Sequence, residues 1–436
     1  MRMSSFLLLV LAFEFVPAPI AAAEIRAGVA RVDLTPPLDM QASLGGYGDR
    51  MSRPAEGVHD RIMAKALVLA DGSRRFALVT ADVLGFPPPV KQAVLQELSA
   101  KGWTGPQVML LPSHSHTSID MMQINPKNKV PIAQLGLFKQ AVYELTVSNL
   151  VRVIDAASQT LVPVAIGTAR TELAGWNANR RRGEETVDRQ LTVTRIDRQN
   201  GQPLTVLVNW TAHPTFMGSA DMLFSGGWPG HLQRTLEALL GAGVTVMYYN
   251  GAQGDQRPVA RPDSGPSRWE RAERYGRELA LVAGKLVDQV KTSRDVTFQF
   301  ASQSIPLPEP VPHADFKLTG GAEYGLTDLV MQRLLATIFP AETASGSLRL
   351  GDLLIVGVPG ELAAGLGLEL KAKARQATGA PCPTIGGLAN EWVSYILSRD
   401  QYERGGYEAS VSFYGPGLGD TIVQGALDGV RALDGR

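Results

Sequence analysis

Cysteine is almost missing from this 436-residue chain: Cys382 stands alone. That excludes an intramolecular disulfide and a thiolate metal cluster. An excess of either charge is missing too, with 42 Lys and Arg against 42 Asp and Glu. Such a balance argues against a dedicated nucleic-acid binder, which would carry surplus basic side chains to neutralise phosphates. Beyond the N-terminal segment there is no apolar stretch of about 18 residues, so no transmembrane anchor is expected. There is no internal repeat, no low-complexity segment, and no charge run longer than Arg180-Arg181-Arg182. Histidine is scarce, at six residues, so any imidazole chemistry must come from a short list. Hydrophobic residues are plentiful at 44%, enough for a large buried core.

The N-terminus has the layout of an export signal. Arg2 gives a positive start, Phe6 to Phe13 an apolar run broken only afterwards by Glu14, and Ala21-Ala22-Ala23 a small-residue cleavage site before Glu24. Pro17 and Pro19 would break the alternative, a short buried helix. Residues 1–23 are therefore expected to be removed, leaving a soluble protein in the periplasm or outside the cell.

From residue 25 onward strand-like apolar runs alternate with amphipathic helical stretches. Strands are expected over 61–70, 75–82, 107–112, 203–211, 244–249 and 353–358, and helices over 88–100, 132–154, 229–240, 267–290, 324–338, 361–376 and 420–434. Several strands are apolar throughout, as strands covered on both faces are. No segment reads as a linker. The expectation is an α/β fold in which residues 24–436 form one large domain of mixed β-sheets flanked by helices.

Polar residues gather where these strands end. Ser113-His114-Ser115-His116 follows one, Ala212-His213-Pro214 a second, Asn250 to Asp255 a third and Pro359-Gly360-Glu361 a fourth. Ligands collect beyond the carboxyl ends of strands in open α/β sheets. Three histidines and a glutamate there suit a catalytic metal with an open position. Each piece has a plainer reading. A His-x-His pair is often a hydrogen-bonded loop pair, His213 can simply end a strand, and Glu361 can favour the N-terminal dipole of a following helix. His59, His231 and His313 lie away from these strand ends.

Read in order, AGVARVDLTPP (27–37), GGYGD (45–49), GVHDRIMAKALVL (57–69), LPSHSHTS (111–118), NRR (179–181), NWTAHPT (209–215), GAQGD (251–255), PGE (359–361) and the Tyr-rich stretch 390–415 resemble the catalytic domain of the neutral, non-lysosomal ceramidases. The resemblance implies one Zn²⁺ per chain, held by His114, His213, Glu361 and Tyr395. It also implies His116 beside the reacting group, Tyr407 facing the substrate carbonyl and Arg180 holding the amide. Three departures stand out. The family's HTHSGPG-type turn is replaced by His116-Thr117-Ser118-Ile119-Asp120-Met121-Met122. The Ser225–Gly230 segment lacks an Asp that relatives commonly carry near position 227. And 436 residues leave no room for the C-terminal immunoglobulin-like domain of many relatives.

The function implied is cleavage of the N-acyl bond of ceramide or a related N-acyl lipid, giving a fatty acid and an amine, with transient contact at a membrane surface. An apolar cleft is needed beside the metal. Met121, Met122 and Ile124, with Leu326 to Phe339, are the residues that could line one, although such spacing also suits plain core. The same machinery acting on a smaller amide or an ester is the alternative, and non-catalytic binding of N-acyl lipids a third reading. Sequence leaves the oligomeric state open.

Overall fold

The computed structural model describes residues 24–433 apart from 73, 323 and 324; the expected export signal, 1–23, lies outside the described residues. The largest sheet contains β1 (Arg26–Asp33), β2 (Met63–Asp71), β3 (Arg74–Ala81), β4 (Val108–Pro112), β5 (Val162–Glu172), β6 (Gln190–Arg198), β7 (Pro203–Trp210) and β8 (Thr245–Asn250). Its order is β8-β7-β6-β5-β1-β2-β3-β4, parallel at the two edge pairs and antiparallel between them. A second sheet holds β9 (Phe298–Pro306), β10 (Glu342–Leu350), β11 (Leu353–Val358) and β12 (Cys382–Gly387), in that order.

The period-two alternation of strands divides their side chains between two layers. In β2, Leu67 and Leu69 face the second sheet and pack with Phe76, Ile355 and Leu348, while Ala64, Ala66 and Val68 face helices. Those helices are α1 (Pro88–Ser99) and α2 (Gln140–Ser158), which bury Val90, Val94 and Leu150. Farther along the same face lie α3 (Gly227–Leu240) and α4 (Arg268–Val287), packed on Val206, Val208 and Val246. The second sheet is covered by α6 (Ala364–Thr378) and α7 (Leu418–Arg431), while α5 (Asp328–Ile338) precedes β10 in the chain. Four layers result, helix–sheet–sheet–helix. Truncating a residue such as Leu67, fully buried there, to Ala costs about 2–5 kcal/mol.

Local signals explain several boundaries. Pro88 and Pro89 open α1, where missing N–H groups do no harm. Ser267 and Glu270 close a reciprocal capping box at the start of α4. The helix expected over 132–154 begins at Gln140, and that expected from 361 begins at Ala364. In the latter case Glu361–Leu362 instead pair in parallel with Tyr395–Ile396, so Glu361 is not an N-terminal helix carboxylate.

One consequence of the twist matters for function. β4 and β8 are opposite edges of the large sheet, yet it coils until their carboxyl ends meet: the Asn250 side chain donates to the Ser113 carbonyl (3.4 Å) and to that of Ala212 (3.0 Å). Asn390 stitches the second sheet to the same place, exchanging hydrogen bonds with Leu110 at 2.7 and 3.0 Å.

Candidate metal centre

Three strand ends and one short strand deliver four donors to one point. His114 lies two residues past β4, in a left-handed conformation (φ 65°) that a non-glycine residue adopts only when its surroundings enforce it. Its amide donates to the Val83 carbonyl (3.0 Å), and its Nδ1 faces the Leu84 carbonyl. His213, three residues past β7, is fully buried, with Nδ1 2.9 Å from the Gln253 carbonyl. A carbonyl only accepts, so both Nδ1 atoms carry hydrogen; in a neutral imidazole that leaves Nε2 as a bare lone pair. Yet His114 Nε2 is 3.1 Å from His213 Nε2 and 3.3 Å from His116 Nε2. Glu361 Oε2 lies 3.3 Å from His114 Nε2 and 3.2 Å from His213 Nε2. Among the described residues no hydrogen-bond donor satisfies Glu361 Oε2.

The His114 and His213 lone pairs converge, and with His116 beside them the three histidines make a group that can hold a metal ion. Its electrostatics agree. Burial, with Arg180 adding to it, lowers the His213 pKa to about 4, keeping the ring neutral. Burial, then the neighbouring His114 and His213, push His116 well below its ordinary value. His114, His213 and Glu361, with His116 adjoining, offer the imidazole and carboxylate chemistry expected around a borderline divalent cation.

The remaining expected residues stand around this point. Tyr395 is buried, its ring parallel to His213 at 6.5 Å, and its hydroxyl accepts from Arg180 Nη2 (2.9 Å). Burial first, then Glu361, raises its pKa well above the ordinary tyrosine value. Arg180 is fixed by Glu408 Oε1 (2.7 Å) and the Gly254 carbonyl (2.9 Å). Burial works against its charge, but Tyr395 and Glu408 outweigh that and keep it protonated. Tyr407 is 61% exposed, its ring edge-on to Tyr395 at 5.9 Å and 5.7 Å from the Arg180 guanidinium carbon. All seven sequence-predicted residues therefore meet in one place.

Sequence reasoning overlooked the supports. Trp392 Nε1 donates to Glu361 Oε1 (2.9 Å). The buried Arg50 donates to the His116 carbonyl (2.6 Å), and Tyr47 packs on the His116 ring at 5.1 Å. Gly46 (φ 92°) lies so close that a Cβ would stand 2.3 Å from His116 Nδ1. The GGYGD run marks this segment in the sequence, but nothing in its composition reveals what it touches. A Cβ at Gly227 would meet Ser115 Oγ at 3.4 Å and Met217 at 3.6 Å, and His213 takes its support from the Gln253 carbonyl.

An apolar groove of about 180 Å³ opens beside the centre, lined by Met121, Met122, Met331, Leu335, Phe339 and Trp392 among others. The expected lining is mostly present. Ile124 is the correction: it is fully buried in the core against α2 and cannot face a ligand. Of the histidines set aside, His59 and His231 come together beside Asp60, and His313 accepts from the Asp315 amide. Among the described residues no helix is long and apolar enough to cross a membrane.

Known proteins are similar to this chain in sequence and in fold. The chain is 24% identical over 472 residues to the neutral ceramidase of Pseudomonas aeruginosa, covering 90% of this chain and 69% of that protein. It is likewise 24% identical to the neutral ceramidase of Drosophila melanogaster, with coverage of 91% and 73%. The crystal structure of the Pseudomonas aeruginosa neutral ceramidase superposes with a TM-score of 0.79 at 21% identity, over 94% of this chain and 74% of that one. A ceramidase complexed with C2 gives 0.77 at 20% identity, over 95% and 76%. Residues 25–245, half of the chain, match the family model of the neutral/alkaline non-lysosomal ceramidase N-terminal domain, and the protein belongs to that family.

Proposed function

We propose that this protein is a zinc-dependent amidohydrolase that cleaves the N-acyl bond of ceramide or a related N-acyl lipid. The observation that carries this reading is the meeting of three imidazole Nε2 atoms and Glu361 Oε2 at an apolar groove, with Trp392 belonging to both. Relatives named neutral ceramidases support the substrate class. His114, His213, Glu361 and Tyr395 would hold the ion, and one Zn²⁺ per chain suits that set. Bound there, zinc acidifies water and polarises an amide carbonyl.

The chain's own groups supply the rest. Arg180, locked in its charged form, and the Tyr407 hydroxyl donate to the carbonyl oxygen as it gains negative charge. His116, kept neutral by burial, takes a proton from the attacking water and passes it to the leaving nitrogen. The carbon–nitrogen bond breaks as the carbon–oxygen bond forms, giving a fatty acid and a free amine. The groove aligns the acyl chain and excludes bulk water. We read residues 24–436 as one hydrolase domain and 1–23 as the signal that sends it to the periplasm or medium.

Zinc-loaded protein assayed with ceramide, short N-acyl amides and matched esters tests the reading. Release of free sphingoid base and fatty acid from ceramide is expected. Cleavage of the esters alone would overturn it.

A further inference from the structure

Resting on amide hydrolysis at this centre, we propose that Trp392 is a positioning residue through which an apolar chain in the groove tightens the metal group. Acyl length then acts on zinc affinity and on kcat, and not on KM alone. Two observations on one side chain carry this. The indole Nε1 donates to Glu361 Oε1 (2.9 Å), while the other oxygen of that carboxylate, Oε2, faces the Nε2 atoms of His114 and His213. The same indole belongs to the wall of the apolar groove. Its ring is tilted against Phe339 (5.9 Å), and Phe339 packs on Phe413 (5.1 Å), both of which line the groove as well.

The backbone around this bond is pinned. The Trp392 amide donates to the Phe86 carbonyl (2.9 Å), the Val393 amide to that of Pro359 (2.9 Å), and the Glu361 amide to that of Ser394 (3.0 Å). What is left to adjust is the half-buried indole and the carboxylate it holds. A lipid chain laid along the groove takes water away from the indole. The N–H···O bond then lies in a medium of lower dielectric, where a hydrogen bond to a carboxylate is stronger. Glu361 is thereby held with Oε2 toward the imidazoles. Partners that orient a metal-binding group are worth about 10–100-fold in metal affinity or activity. Linkage makes the effect reciprocal, so a chain that tightens zinc is itself bound more tightly once zinc is present. A short acyl group that leaves the groove wet forgoes this gain. A tryptophan that only held the fold would serve every acyl length equally.

The test measures zinc affinity by competition with a chelating dye. Octyl glucoside below its critical micelle concentration supplies the chain, and methyl glucoside is the chainless control. Wild type is expected to bind zinc about fivefold or more tightly with octyl glucoside, and W392F to bind it more weakly and show no gain. Turnover of N-acetyl to N-lauroyl amides by zinc-loaded protein is the second readout. In wild type kcat should climb about tenfold with acyl length; in W392F it should stay flat while KM still falls with length. Unchanged zinc affinity in wild type, an equal gain in W392F, or a loss of kcat in W392F by one factor at every length would overturn the proposal. The wild-type measurement decides the matter even where W392F fails to fold. A zinc gain without cleavage of any amide would support the coupling and overturn the hydrolase reading. Cleavage without a zinc gain would do the reverse.

Discussion

The Nε2 atoms of His114 and His213 stand 3.1 Å apart, and each ring turns its Nδ1 toward a backbone carbonyl, of Leu84 and Gln253. Both second ring nitrogens are therefore fixed as donors by backbone rather than by carboxylates. Outer partners of this kind set the tautomer and aim the free lone pair before any ion arrives. The β4 and β7 ends supply the two rings from opposite sides of a coiled sheet, so the site depends on the sheet's curvature as much as on the histidines.

Gly46 should tolerate no side chain. Its φ of 92° and the 2.3 Å approach of a Cβ to His116 Nδ1 strain both backbone and ring. Gly46→Ala is expected to destabilise the fold by about 1–3 kcal/mol and to lower kcat by at least about tenfold. Metal should be retained through His114, His213 and Glu361. Metal analysis beside kinetics checks this, and loss of metal with activity would make His116 a ligand.

Glu408 positions Arg180. It is 5% exposed and bridges Arg180 and Arg181. Glu408→Gln removes the charge that both guanidiniums share, at a cost of about 3 kcal/mol in stability. Arg180 then loses its anchor, so kcat should fall about tenfold with a smaller change in KM. Denaturant melts and steady-state kinetics read the two effects separately.

Met121 should matter in proportion to acyl length. It lines the apolar groove, where burying a chain contributes about 0.8 kcal/mol per methylene. Met121→Asp is expected to raise KM for a lauroyl amide by about tenfold or more and to leave an acetyl amide nearly unchanged. A chain-length series measures this.

His231 makes stability fall with acidification. Burial, then Arg234, lowers its pKa to about 4 from 6.5, so the unfolded chain takes up a proton first. Its contribution is complete above about pH 6.5, declines as pH drops, and is gone below about pH 4, at a total on the order of 3 kcal/mol. Thermal melts across this range should be flatter for His231→Asn than for wild type.

Much of this was legible from residues alone. Expected strands such as 107–112 and 353–358 match β4 and β11 within a residue, because continuous apolar runs mark strands buried on both faces. β12, Cys-Pro-Thr-Ile-Gly-Gly, escaped, since its glycines and proline read as a turn although every residue is buried. β5, β6 and β10 escaped as well: with polar residues such as Arg170, Thr192 and Ser345 on them, no apolar run stands out. At the site, strand ends nominated His114, His116, His213 and Glu361, but Tyr395, Tyr407 and Arg180 needed the family resemblance. Glu361 illustrates the limit, because its partner strand lies more than 30 residues away and no local pattern foretells a two-residue pairing.

Metal content and amide cleavage measured on the same preparations test the central claim most directly. Purified protein supplied with zinc should hold about one ion per chain and release fatty acid from an N-acyl lipid. Chelation should abolish cleavage, zinc should restore it, and His213→Ala should have neither metal nor activity. Full cleavage by metal-free protein, or by His213→Ala, would contradict the account.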